Sequence, residues 1–255
     1  MTNVWTICRK ELKSYFASPI AYGLMVFFAA ISGYIFYAAT AFFVSRGMES
    51  QMMGRGMPMD VNEYVVRPLL MNVSVFGLFM IPMITMRVFA EEKRQGTIEL
   101  LATSPVTDVE IILGKFLASW LMYACLLGVA LLNLLVLFGY GKPDWKPMLI
   151  GFLGLFLQGG CLLAIGTFIS SCTRNQIVAG VGTFAICLLL WILDWATAFN
   201  TSNSGKVLSY LSVVQHYEPF SKGVLNLKDV VFYVSFIFFG LFLTARSMES
   251  LRWRS

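Results

Sequence analysis

Charge is scarce in this chain. Asp, Glu, Lys and Arg make up 13% of its 255 residues and 58% are hydrophobic, whereas a soluble domain carries about 25% charged residues. That deficit excludes a water-soluble globular protein. Histidine is nearly missing: His216 stands alone, so neither a His-rich metal site nor a two-histidine membrane protease can be built. It reads as an interfacial polar residue beside Glu218. The five cysteines, at 8, 125, 161, 172 and 187, fall in no loop expected on the outer side of the membrane, so no disulfide framework is implied. A GxxxxGK[ST] phosphate loop is absent; GYGKPD at 139–144 has neither the spacing nor the hydroxyl after lysine. The chain therefore does not power itself with ATP. Its apolar runs carry no mid-membrane charge, which argues against a proton- or sodium-coupled carrier, and no segment reads as a channel filter.

What the chain has in abundance is long apolar runs. Crossing a hydrocarbon core of ~30 Å takes roughly 20 helical residues. Six runs qualify: Ile20–Val44, Leu69–Met86, Phe116–Phe138, Met148–Ser170, Ile177–Trp195 and Val230–Ala245. The last is short and should begin a turn earlier. Continuous rather than alternating hydrophobicity excludes a membrane barrel. The fold class is all-α, a polytopic bundle of six spans forming one domain over residues 1–255. The first run is too long for a signal-peptide core, so no cleaved leader is expected. Six spans put both termini on one side, with eleven Lys and Arg there against eight opposite. The bias predicts cytoplasmic termini. The basic pI then reflects loops facing anionic lipid and needs no nucleic-acid partner.

Val4–Phe16 has helical amphipathicity, with Val4, Trp5, Cys8, Leu12, Tyr15 and Phe16 within one arc. Arg9, Lys10, Glu11, Lys13 and Ser14 fill the remainder. Residues 1–19 are expected to form an interfacial helix, broken by Ser18-Pro19. The loop Ser45–Pro68 holds Met48, Met52, Met53, Met57 and Met59. Thioethers suit soft Cu(I), but no Cys or His accompanies them, and a flexible linker or an apolar lid uses methionine equally well. No metal is assigned. Gly160 with Ala164, and Gly166 with Ser170, are small residues four apart that let another helix approach closely. Ser171–Gln176 is a tight turn, making spans four and five a hairpin. Asp194, between Trp191 and Trp195, lies at a span end where it reaches water. Val207, Leu208, Leu211, Val214 and Tyr217 can share the face of a helix resting on the outer interface.

One interval breaks the pattern. Residues 87–115 hold nine of the 33 charged side chains between two apolar runs. Pro82 should kink the second span, whose helix is expected to continue to about Lys93. Gly96 ends it as a C-terminal cap. Thr97 is placed to cap a short helix from Ile98 to Ala102, Ser104-Pro105 breaks the chain again, and Thr107 with Glu110 forms a capping box for the third span. Two stops and two starts describe a defined element. Glu91-Glu92 is also the pairing of membrane prenyl-protein proteases, but Gly96 stands where those need arginine.

Three stretches carry a family likeness: RKELKSYFASPIAY at 9–22, FAEEKRQGTIELLATSPVTDVEIILGK at 89–115 and SVVQHYEPFSKGVLNLKDVVFY at 212–233. With the six spans they resemble the ABC type-2 permease family, most nearly its gliding-motility-type and nitrous-oxide-reductase-maturation-type branch. The resemblance implies a permease subunit in a bacterial inner membrane, exporting an unidentified hydrophobic or lipid-linked substrate. It also implies a separate cytoplasmic ATPase that uses ATP and Mg, and a second permease copy, identical or related. No catalytic residue and no directly bound cofactor are expected. The coupling element between spans two and three would dock on the ATPase through Glu91, Glu92, Lys93, Arg94, Gly96, Thr97, Ile98, Glu99, Leu100 and Leu101. A non-transporting scaffold worked mechanically by the same ATPase is the alternative.

Overall fold

Serine and proline together set the first helix boundary. In a computed structural model, which describes residues 2–52, 60–97, 106–140, 143–198 and 210–252, α1 (Thr2–Ala17) stops at Ser18 and α2 (Pro19–Met52) starts at once. Ser18 Oγ accepts from Ile20 N at 3.4 Å, and Pro19 opens α2 at the position where a missing N–H costs nothing. The chain then forms α3 (Arg67–Thr85), α4 (Ala90–Gln95), α5 (Asp108–Tyr140), α6 (Trp145–Cys172), α7 (Gln176–Ala198), α8 (Val213–Ser221) and α9 (Leu227–Arg252). No strand occurs among the described residues. Six of these segments are long and apolar enough to cross a membrane, and they match the six expected runs.

Two boundaries differ from expectation. The 45–68 loop is largely helical: α2 runs on to Met52, and a π-helical turn at Asn62–Val66 feeds directly into α3. Asp60 Oδ1 accepts from Asn62 N at 2.9 Å, and Pro68 sits in the first turn of α3, where proline fits rather than breaks. Met53, Met57 and Met59 lie outside the described residues. The second departure is at α3, which does not continue to Lys93 but ends at Thr85. Pro82 lies inside it and lacks the N–H for Leu78. Thr85 Oγ1 also donates to Ile81 O at 3.0 Å. Residues 86–89 form turns before α4 begins.

α6 is the axis of the bundle. It packs on α3, α5, α8 and α9 through small residues. A Cβ on Gly160 would come 2.9 Å from Trp120 and 3.0 Å from Ile237, and one on Gly166 would come 2.5 Å from Thr85. Both small-residue pairs are therefore contact points, Ala164 meeting Gly240 and Ser170 meeting Phe89 and Ala90. Trp120 stacks on Phe156 with centroids 4.3 Å apart while its Nε1 donates to Phe156 O. Ser74 Oγ donates to Gln158 Oε1 at 2.9 Å, a polar tie between α3 and α6 deep among apolar side chains. Outward, Phe27, Tyr34, Ile177 and Phe238 are exposed, as lipid-facing side chains are. α6 and α7 form the expected hairpin. The side chain of Asp194 lies outside the described ones.

α8 packs differently from the sequence reading. Its buried side is Val213, His216, Tyr217 and Phe220, while Leu211 is exposed and residues 207 and 208 lie outside the described ones. His216 is not paired with Glu218. Its Nδ1 lies 2.6 Å from Asp229 Oδ1 at the start of α9, and its Nε2 lies 3.0 Å from Tyr210 O. Both ring nitrogens thus face oxygen atoms, one on α9 and one just before α8. Burial lifts the Tyr217 hydroxyl well above the ordinary tyrosine range.

Candidate functional site

The charged interval and the N-terminal helix meet at one buried ammonium group. Thr107 N donates to Glu110 Oε2 at 3.1 Å and Glu110 N to Thr107 Oγ1 at 3.4 Å. That reciprocal box starts α5 and orients its first turns. Asn3 Nδ2 reaches Glu110 Oε1 at 3.3 Å, tying α1 to the same point. Two turns into α5, Lys115 points inward with its side chain 2% exposed. Its Nζ donates to Glu92 Oε1 at 2.8 Å, Val88 O at 2.9 Å and Glu11 Oε1 at 3.1 Å. It also sits 5.4 Å from the centre of the Phe89 ring. An ammonium group has three protons to donate, and here all three are used. The knot joins α1, the 86–89 turn, the start of α4, and α5.

Neighbouring bonds hold the same end of the bundle. α3 leaves Ile84 O open where it unwinds, and Tyr15 Oη donates to it at 3.1 Å while contacting Ser119 Oγ at 3.2 Å. Burial pushes the Tyr15 hydroxyl far above its usual range, so it stays a neutral donor. Ser170 Oγ, on α6, accepts from Phe89 N and Ala90 N at 3.1 and 3.2 Å. It supplies from another helix the N-cap that α4 lacks locally. Lys93 Nζ donates to Ser171 O, which also accepts from Ser247 Oγ on α9. Gly96, at φ 72°, takes the left-handed conformation, and its N–H and that of Thr97 both reach Glu92 O. That is the Schellman end the glycine forecast.

The expected docking residues therefore divide. Glu92 turns inward, its side chain 16% exposed on Lys115, and Lys93 is held by α6. Arg94 and Gly96 are exposed, and Glu91 accepts from Gln95 Nε2 at the surface. Thr97 Oγ1 donates back to Glu92 O at 3.4 Å. Ile98, Glu99, Leu100 and Leu101, with the short helix expected to Ala102, lie outside the described residues. Sequence reasoning missed Lys115, Glu11, Tyr15 and Ser170. A single lysine one turn after the capping box, preceding a long apolar run, was the available signal for Lys115. Glu11 was assigned to the polar face, yet lies at the edge of the buried stripe of α1. No local pattern marks Ser170 as a cap.

Among the described residues no group of His, Cys, Asp and Glu could hold a metal ion. The arrangement is a bonded junction of four helices, with Arg94, Gln95 and Gly96 exposed beside it.

The sequence pattern of the ABC-2 family transporter proteins matches residues 56–248. The chain is also 22% identical over 173 residues to "Probable multidrug ABC transporter permease YbhR" of Escherichia coli strain K12, and equally to the same protein of Escherichia coli O157:H7. Those matches cover 67% of this chain and 45% of the relatives, so the chain spans under half of their length. Six membrane-length helices, a knotted charged interval between the second and third, and a family pattern over most of its residues lead to one assignment: the chain belongs to the ABC-2 transporter family, as a multi-pass membrane permease.

Proposed function

We propose that this permease works with a separate cytoplasmic ATPase that docks on residues 91–102, and that the joint around Lys115 carries the ATPase's motion into the membrane. The observation supporting this reading is the Lys115 knot. A push on α4 meets α1, α5 and α6 through bonded partners rather than a loose loop, so force can reach three elements together. Two permease copies, with termini and docking segments in the cytoplasm and α1 in the inner interface, would complete the transporter. ATP and Mg belong to the ATPase. The relatives' names point to multidrug transport, and the apolar spans fit export of a hydrophobic or lipid-linked substrate.

The test is co-purification with a candidate ABC ATPase from the same organism. Changing Arg94→Glu together with Leu100→Ala should detach the ATPase while the permease still elutes as a folded species. An intact complex with unchanged substrate-stimulated ATP hydrolysis would defeat the docking assignment.

A further inference from the structure

A cavity of about 600 Å³ opens between α1 and the 86–97 segment, with Lys10, Glu11, Arg87, Glu91, Glu92 and Lys115 in its wall. Its size is that of a small-molecule site. Three cations and three anions make its wall neutral in sum, and the two signs are not all paired with each other. Glu11 and Glu92 turn to Lys115. Arg87 instead donates through Nη1 to Ser18 Oγ at 3.4 Å, and its Nε is buried without a partner. Glu92 Oε2 is likewise buried and unpartnered. Beside the chamber, a guanidinium donor and a carboxylate acceptor are thus buried without partners, a state costly to leave as it is. An apolar crevice lined by Ile20, Ala21, Leu24, Met83, Ile84 and Met122 adjoins this chamber, sharing Tyr15, Ser18 and Arg87 with it. The crevice itself is small, about 20 Å³, so the polar chamber borders an apolar surface between α2, α3 and α5.

We propose that the chamber binds the headgroup of a phospholipid carrying a primary amine. Its phosphate engages Arg87, because guanidinium recognises phosphate through paired N–H donors. Its ammonium engages Glu91 and, once that side chain turns, Glu92 Oε2, while its acyl chains lie along the half-exposed Ile20 and Met83 at the crevice mouth. The unpaired carboxylate decides among headgroups. A quaternary choline ammonium has no N–H for it, and an anionic glycerol headgroup brings net negative charge against Glu91 and Glu92. This site goes beyond the docking reading, since it needs only the permease itself, and the two can fail separately.

The purified permease in detergent, analysed by native mass spectrometry with phosphatidylethanolamine, phosphatidylcholine and phosphatidylglycerol of matched chains, tests it. Phosphatidylethanolamine should be retained severalfold over both others. Arg87→Gln should weaken that retention about tenfold, as loss of a charge-assisted phosphate contact does. Glu91→Gln should narrow the preference over phosphatidylglycerol. Ile20→Trp, at a half-exposed crevice position, should also lower retention, and it covers the case in which Arg87→Gln does not fold. Equal retention of the three lipids, or full retention by Ile20→Trp, overturns the proposal. Displacement of the lipid by micromolar free phosphoethanolamine would overturn the lipid as occupant, whereas no displacement at millimolar concentration supports it. A photo-crosslinker at Ser14, on the cavity wall, should capture lipid in membranes, and capture of a polypeptide there overturns it.

Discussion

Lys115 Nζ lies 2.8 Å from Glu92 Oε1, with the lysine side chain almost wholly enclosed. Glu92 belongs to the segment leaving the second span and Lys115 to the helix that becomes the third. The bond spans the root of the charged interval, where a loop alone would leave the two spans free to part. Its value follows from its burial: an exposed pair of the same length is worth roughly 0–1 kcal/mol, whereas stripping a partner from a buried charge costs several times more.

Lys115→Ala should therefore destabilise the folded permease by about 3 kcal/mol, leaving Glu92 and Glu11 facing each other across a vacated site. Thermal unfolding in detergent reads this. The triple change Glu11→Gln, Glu92→Gln, Lys115→Met should recover part of the loss, because no unpaired charge remains buried. A Lys115→Ala protein that melts with the parent would show the knot to carry no stability.

Gly96→Ala should cost about 1–2 kcal/mol locally, since an L side chain at φ 72° crowds the following carbonyl. Gly96→Asn should be milder, asparagine tolerating that region better. Amide hydrogen exchange at residues 93–97 should speed in the order glycine, asparagine, alanine. The opposite order would place the left-handed turn elsewhere.

Cys8 is buried, and burial followed by the nearby Glu11 carboxylate raises its thiol pKa above the ordinary value near 9. Maleimide at neutral pH should label exposed Cys172 much faster than Cys8. The unfolded thiol ionises first, so the contribution of neutral Cys8 is complete below its unfolded pKa near 9. It declines as pH rises through the higher folded value. Cys8→Ser should remove that alkaline part of the pH–stability curve, as measured by thermal melts across pH 7–10.

Asp229→Ala should release α8 from α9, because His216 then loses the carboxylate 2.6 Å away inside an apolar setting. The stacked Phe232 ring, 3.9 Å from the imidazole, cannot replace it. A loss of about 3 kcal/mol is expected, with faster proteolysis near residues 210–222. The pair His216→Leu with Asp229→Leu should be less harmful than Asp229→Ala alone. Equal melting of Asp229→Ala and parent would count against the pairing.

Much of this architecture could be read directly from residue order. Apolar runs of membrane length placed six helices, since length and hydrophobicity alone satisfy the bilayer. Gly96 and the Thr107–Glu110 box placed a helix end and a helix start, because caps are local bonds between near neighbours. The 45–68 segment was misread because Pro68 signals a break or a first turn equally well. The end of α3 at Thr85 was misread because Pro82 reads as a kink as easily as a stop, and because the restart at Ala90 depends on a cap from Ser170, 80 residues further along.

Residue order alone establishes the class of the protein: membrane-embedded helices with a charged interval between two of them. Those are properties of composition and short-range pattern, on which water and lipid act segment by segment. Three-dimensional packing settles what the charged interval is attached to. It placed Lys115 between Glu11 and Glu92, 104 and 23 residues away, and it paired His216 with Asp229 rather than Glu218. Buried charges choose partners by three-dimensional proximity and by the cost of remaining unpaired, and neither is written in the spacing of residues along the chain.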